Sequence, residues 1–201
     1  MRPAYTKPFL IVILIVLFDQ IIKTWVRTHM YMGQDIHFLG DHGMLHYTEN
    51  NGMAFGMELG GSFGKLVLTM FRICAVFAIG YGLVYLIKHK YHRGLILCVA
   101  LILAGALGNI VDSTLYGVLY QNGQLFYGRV VDMFYFPLFS GNFPKWLPIW
   151  GGEDFIFFRP VFNLADSAIS VGVILILVFQ KHYFKREVVE LSSPHSEMVE
   201  E

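Results

Sequence analysis

The sequence predicts an all-α membrane protein with four transmembrane helices, both termini in the cytoplasm, and a small β-rich extracytoplasmic subdomain. Three observations carry this reading. Hydrophobic residues make up 55% of the 201-residue chain and charged residues only 15%, and mean hydropathy is +0.53. The apolar residues run in four blocks, about 9–26, 66–87, 94–111 and 161–180, where a soluble core would space them periodically. A span of about 20 residues crosses a hydrocarbon layer about 30 Å thick. Finally, positive charges flank the blocks unevenly. Arg2 and Lys7 precede the first, Lys88, Lys90 and Arg93 fill the link between second and third, and Lys181, Lys185 and Arg186 follow the fourth. The positive-inside rule puts those three regions in the cytoplasm, so the segments 27–65 and 112–160 lie outside.

The first block has the basic start and apolar core of a signal peptide. No small-residue cleavage site follows, however, and the chain runs on as Asp19-Gln20-Ile21-Ile22-Lys23, so a retained helix is expected. Asp19 and Lys23, four apart, share a helix face, and their ion pair would make a carboxylate tolerable near hydrocarbon. In the first outer segment, His37-Phe38-Leu39-Gly40 and Leu45-His46-Tyr47-Thr48 mix turn residues with alternating stretches and predict short strands. His42 and His46 lack a nearby third ligand and read as surface residues. The segment ends in Glu49-Asn50-Asn51-Gly52-Met53-Ala54-Phe55-Gly56. This is either a turn entering a helix or a loop whose small residues admit a peptide backbone. Cys74 and Cys98 sit within the second and third blocks and suit packing better than a disulfide or metal.

The third block closes on Gly108-Asn109-Ile110-Val111-Asp112 and the fourth opens on Phe162-Asn163-Leu164-Ala165-Asp166. Each sets an amide and a carboxylate three apart on one face. Between them, the stretch from Tyr127 to Phe136, containing Asp132, reads as extended. The stretch 137–160 reads as irregular, with Trp146 and Trp150 suited to the headgroup level. Residues 1–186 form one expected domain, and the polar, acidic tail 187–201 is expected to be disordered.

Taken singly, these polar residues have structural explanations: Asn163 as a helix cap, Asp166 as a complement to the helix dipole. Taken together, Asp112, Asp132 and Asp166 would converge near one bilayer face and repel one another unless a proton or cation intervened. Ionisable groups near hydrocarbon usually mark function. A small proton- or cation-coupled transporter is one alternative, although four helices leave little room for alternating access. A non-catalytic scaffold is another. A metalloprotease is disfavoured because His-Glu-x-x-His is absent.

As an ordered set, Asp19-Gln20-x-x-Lys23, Asn50-x-Gly52-x-Ala54-Phe55-Gly56, Gly108-Asn109-x-x-Asp112, Val130-Val131-Asp132 and Phe162-Asn163-x-Ala165-Asp166 resemble the lipoprotein signal peptidases, or signal peptidase II. The resemblance implies an aspartic endopeptidase of the bacterial inner membrane, cutting diacylglyceryl-modified prolipoproteins just before the lipidated cysteine at the extracytoplasmic face. It implies Asp132 and Asp166 as the catalytic pair, supported by Asp19, Lys23, Asn50, Gly52, Asn109, Asp112 and Asn163. It implies no cofactor, metal or nucleic-acid partner. Membrane lipids are expected around it, globomycin-type inhibitors are expected to bind, and a monomer would suffice.

The chain departs from the family pattern at Ser113, where an Arg usually follows the third-helix Asp, and at Ala104-Gly105, where Gly-Gly is usual. Met53 stands for a common Ala, and the link from Asp132 to Asp166 is longer than usual. Arg72 on the second helix is either a substitute cation or a side chain snorkelling to the outer interface.

Overall fold

The computed structural model describes residues 3–51, 61–120, 123–137 and 160–184, with parts of 139–157. Four of its helices are long and apolar enough to span a membrane. Helix α1 covers Pro3–His29, α2 Gly61–Lys88 and α3 Arg93–Val111. A π-helical turn, Asp112–Tyr116, and the four-residue α4, Gly117–Tyr120, prolong α3. The last helix, α5, covers Leu164–Tyr183. The helices outrun the hydropathy blocks because backbone hydrogen bonding continues past the apolar stretch. At the fourth block the reverse holds, and Val161–Phe162 is a strand. The tail 187–201 and Gly52 with the rest of 52–56 lie outside the described residues.

The bundle reverses the soluble pattern of burial. Phe18, Phe71, Phe77, Tyr81 and Leu177 are exposed on its outside, whereas Asp19 and Lys23 are 1% and 0% exposed within. Lipid solvates the apolar exterior, so association depends on close packing and internal polar contacts. Helix α3 is central and packs against α5, α1 and α2. Small residues bring α3 and α5 together: a Cβ on Gly105 would lie 2.1 Å from the Ala165 carbonyl oxygen. That atom belongs to backbone and cannot swing away. Gly105→Ala is therefore expected to cost about 1–3 kcal/mol, read as earlier thermal unfolding of the detergent-solubilised protein.

At one end of the bundle lies an antiparallel sheet with strand order β1-β2-β3-β6, where β1 is Asp35–His37, β2 Met44–Asn50, β3 Val130–Tyr135 and β6 Val161–Phe162. Beneath it, Val131 and Met133 of β3 pack with Val26 and Met30 of α1, Tyr47 and Tyr116. Strand alternation thereby turns Asp132 to the opposite face. The segment expected to be irregular, 137–160, contains a second hairpin pairing β4, Phe139–Asn142, with β5, Asp154–Phe157. The two strands satisfy each other's backbone groups, a pairing that residue composition did not reveal.

The π turn decides how the sheet meets the bundle. Widening the helix frees the carbonyls of Ser113 and Thr114, which accept from Gly128 N at 3.0 Å and Phe126 N at 3.0 Å. Single-turn π bulges commonly sit at functional sites. A Cβ at Gly128 would meet Asp112 O at 2.0 Å, so only glycine permits this approach. The chain then enters β3 directly beside Asp112.

Candidate active site

The predicted polar residues come from six separate elements and meet where the sheet joins the bundle. Asp19 and Lys23 lie on α1, Asn109 on α3, Asp112 in the π turn, Asp132 on β3, Asn163 just before α5 and Asp166 in its first turn. Asn50 ends β2. Two linked halves result.

One half is a buried ionic cluster. Lys23 Nζ lies 2.8 Å from Asp19 Oδ2 and 2.7 Å from Asp112 Oδ2, with all three side chains at most 1% exposed. Ions this deep require further hydrogen-bond partners, and each carboxylate oxygen of the cluster has at least one. Asp19 Oδ1 accepts from Ala165 N at 2.9 Å, and Asp112 Oδ2 accepts from Val131 N at 3.3 Å. Gln20 Nε2 donates to Asp112 Oδ1 at 2.9 Å and Asp19 Oδ2 at 3.2 Å. Tyr116 donates its hydroxyl to Gln20 Oε1 at 3.0 Å. The cluster thus ties α1, α3, β3 and α5 at one point.

The other half contains Asp132 and Asp166. Asn163 caps α5: its Oδ1 accepts from Asp166 N at 2.9 Å, while Asn163 N donates to Asp166 Oδ2 at 3.3 Å. The same side chain turns its Nδ2 to Asp132 Oδ1 at 2.7 Å, with Val131 O at 3.3 Å. A single buried amide therefore holds one aspartate by its carboxylate and the other by its backbone and ring of cap bonds. Asn50 donates to Asp132 as well.

Asn109 joins the halves. Its Oδ1 accepts from Lys23 Nζ at 3.1 Å and Asn163 Nδ2 at 3.2 Å, and its Nδ2 donates to Asp166 Oδ1 at 2.8 Å. Asp132 is 4% exposed. Burial, then the charge of Asp166, pushes its carboxyl up to about 7, against the lowering effect of Asn163, Asn50 and Lys23. Asp166 is half-buried, so the pair is reached from its side. Two carboxyl groups within mutual electrostatic reach, one of them titrating near neutrality, can share a proton and serve as acid and base.

Arg72 does not simply extend to an interface. Its Nη1 donates to Ser113 Oγ at 3.1 Å, across to the π turn.

Sequence reasoning overlooked several participants. Gln20 stood inside a motif, but only its position between two carboxylates reveals its bridging task. Arg27 at the end of α1 lies 2.8 Å from Glu49 Oε1 and covers the Tyr120 ring at 4.8 Å. Tyr47 donates to the same Glu49 oxygen at 2.9 Å. Two charges at the ends of distant segments offer no periodic signal of such a pair.

Residues 11–181 match the family described as Signal peptidase (SPase) II. The chain is 48% identical over 184 residues to a lipoprotein signal peptidase of Porphyromonas gingivalis, covering 84% of this chain and 80% of that protein. It is 41% identical over 177 residues to one of Amoebophilus asiaticus, covering 84% and 75%. A solved structure described as a bacterial membrane enzyme superposes with a TM-score of 0.61 at 27% identity, covering 91% of this chain and 93% of that one.

Proposed function

The chain belongs to the signal peptidase II family, which removes signal peptides from prolipoproteins, and we propose that it does so as an aspartic endopeptidase using Asp132 and Asp166. The observation that carries this reading is Asn163, whose one side chain accepts from Asp166 N and donates to Asp132 Oδ1. It fixes the two carboxyl groups relative to each other on rigid elements. Nothing in the fold or the relatives favours a transporter.

In the proposed reaction Asp166 is the base. Its carboxylate receives Asn109 Nδ2 and Asn163 N and stands in the first turn of α5, where the helix dipole favours negative charge. Asp132 carries the shared proton. A water between them gives a proton to Asp166 as its oxygen attacks the scissile carbonyl, and Asp132 donates its proton to the developing oxyanion. Collapse of the tetrahedral intermediate breaks the C–N bond. Asp166 delivers its proton to the leaving amine, and the regenerated carbonyl returns a proton to Asp132.

The remaining assignments extend this reading. The substrate is a diacylglyceryl prolipoprotein, because a site within a lipid-facing bundle admits acyl chains whose burial contributes about 0.8 kcal/mol per CH₂. Residues 1–186 act as one unit, and the site draws on a single chain, so a monomer suffices. Lys88, Lys90, Arg93 and Lys181 cluster away from the sheet, which favours cytoplasmic termini and an extracytoplasmic site in the bacterial inner membrane. Globomycin-type inhibitors should compete for the same site. Asn50 would border the bound backbone, and the family motif assigns Gly52 to the same task.

The pH profile tests the roles. With Asp132 as the acid, kcat/KM should decline as pH rises through about 7, because the pair then loses its shared proton. The macroscopic values belong to the pair. Cleavage of a purified diacylglyceryl prolipoprotein from pH 4 to 9 (about the range that spans both ionisations) should give a bell. Activity still rising well above neutrality would remove Asp132 from the acid role.

A further inference from the structure

Arg72 lies about three turns from the sheet end of α2, within a helix apolar enough to span the membrane. A cation at such a position ordinarily faces an internal partner or snorkels to water. Here Nη1 donates to Ser113 Oγ at 3.1 Å. Ser113 is 2% exposed, and its hydroxyl in turn donates to Asn109 O at 2.9 Å. Asn109 is the residue whose side chain donates to Asp166 Oδ1 at 2.8 Å. Two residues, Ser113 and Asn109, therefore link the guanidinium to the reacting carboxylate. Asp166, Asp132 and Asp112 are the carboxyl groups whose charge reaches the guanidinium.

The charges of the site explain why a cation is needed there. Lys23 is engaged with Asp19 and Asp112, and with both carboxyl groups ionised that cluster carries one negative charge over. An aspartate pair holding one proton adds another beside it. In a medium of low dielectric, two neighbouring negative charges of this kind would drive the pair to take up a second proton. The pair would then have no base. Lys65, another cation of α2, donates to Asn51 Oδ1 at 3.2 Å.

We propose that Arg72 is a positioning residue that, tethered by Ser113, sets the charge of the Asp132–Asp166 pair so that one member stays ionised during turnover. This rests on the aspartate pair being catalytic. The charged groups within electrostatic reach of Arg72 are Asp166 from α5, Asp132 from β3 and Asp112 from the π turn, and Ser113 of that turn accepts its hydrogen bond.

The test is the pH–rate profile for a diacylglyceryl prolipoprotein with purified wild type, Arg72→Gln, Arg72→Lys and Ser113→Ala. Removing the cation makes both ionisations of the pair harder, so the whole bell for Arg72→Gln should move alkaline by about one pH unit. Arg72→Lys should restore it towards the wild-type position, and Ser113→Ala, which loosens the tether, should move it part of the way. A merely structural Arg72 would lower activity without moving the bell. An unmoved bell in Arg72→Gln, or in Ser113→Ala if Arg72→Gln does not accumulate in membranes, overturns the proposal. Asp132→Asn, run alongside, separates the two ideas: turnover by that variant would remove the catalytic pair itself, whatever Arg72 does.

Discussion

Asp132→Asn and Asp166→Asn are each expected to lower prolipoprotein cleavage by about 10³-fold or more, the upper range for loss of a general acid or base. The two losses should not multiply in the double variant, because one proton is shared and removing either member ends its exchange. Asparagine is nearly isosteric with aspartate. At position 132 it can present its Oδ1 to the 2.7 Å donation from Asn163 Nδ2, so the fold should persist. At 166 the bond from Asn109 Nδ2 to Oδ1, 2.8 Å in the native chain, can likewise survive. Accumulation in membranes and thermal unfolding should therefore stay near wild type while turnover disappears. The measurement is cleavage of purified diacylglyceryl prolipoprotein by each variant in detergent. Retained turnover in both variants would leave the aspartic mechanism without its catalyst.

Lys23→Met should have the largest effect on stability. It leaves Asp19 and Asp112 facing each other at 1% and 0% exposure with their shared cation gone. Breaking a buried ion cluster by removing one partner costs about 3–5 kcal/mol, because the remaining charge is uncompensated. Unfolding of the detergent-solubilised variant should begin well below the wild-type temperature, and its level in membranes should fall. The triple variant Asp19→Asn, Lys23→Met, Asp112→Asn removes all the charges and should recover most of that stability. Its cleavage should remain low, since both oxygens of Asp112 accept, from Val131 N and from Gln20 Nε2, and an amide at 112 can serve only one of these donors. Equal melting of Lys23→Met and wild type would show that the lysine does not hold these elements together.

The two variants probe opposite halves of one network, and the asparagine between them explains its economy of charge. Asn109 takes Lys23 on its carbonyl and gives an N–H to Asp166. A neutral amide transmits orientation without adding charge. A carboxylate in its place would add repulsion to Asp166, and an alkyl group would leave Lys23 and Asn163 short of an acceptor.

The sequence alone determined the membrane class, the four spans, the strands between the first two spans and the residue types gathered at the sheet end of the bundle. Each rests on local information: length of an apolar run, spacing on a helix face, a cap residue at a helix start. Tertiary structure alone decided how those residues are used. The π turn at 112–116, the Gly128 approach that brings β3 to Asp112, the hairpin within 137–160, and Gln20 standing between two carboxylates all depend on segments far apart in the chain. The same holds for Arg72, whose inward bond to Ser113 no spacing rule could foresee. Local spacing fixes which groups share a face of one helix. Which groups from different elements share a proton or a cation is settled by packing, and here by the small residues that let those elements approach.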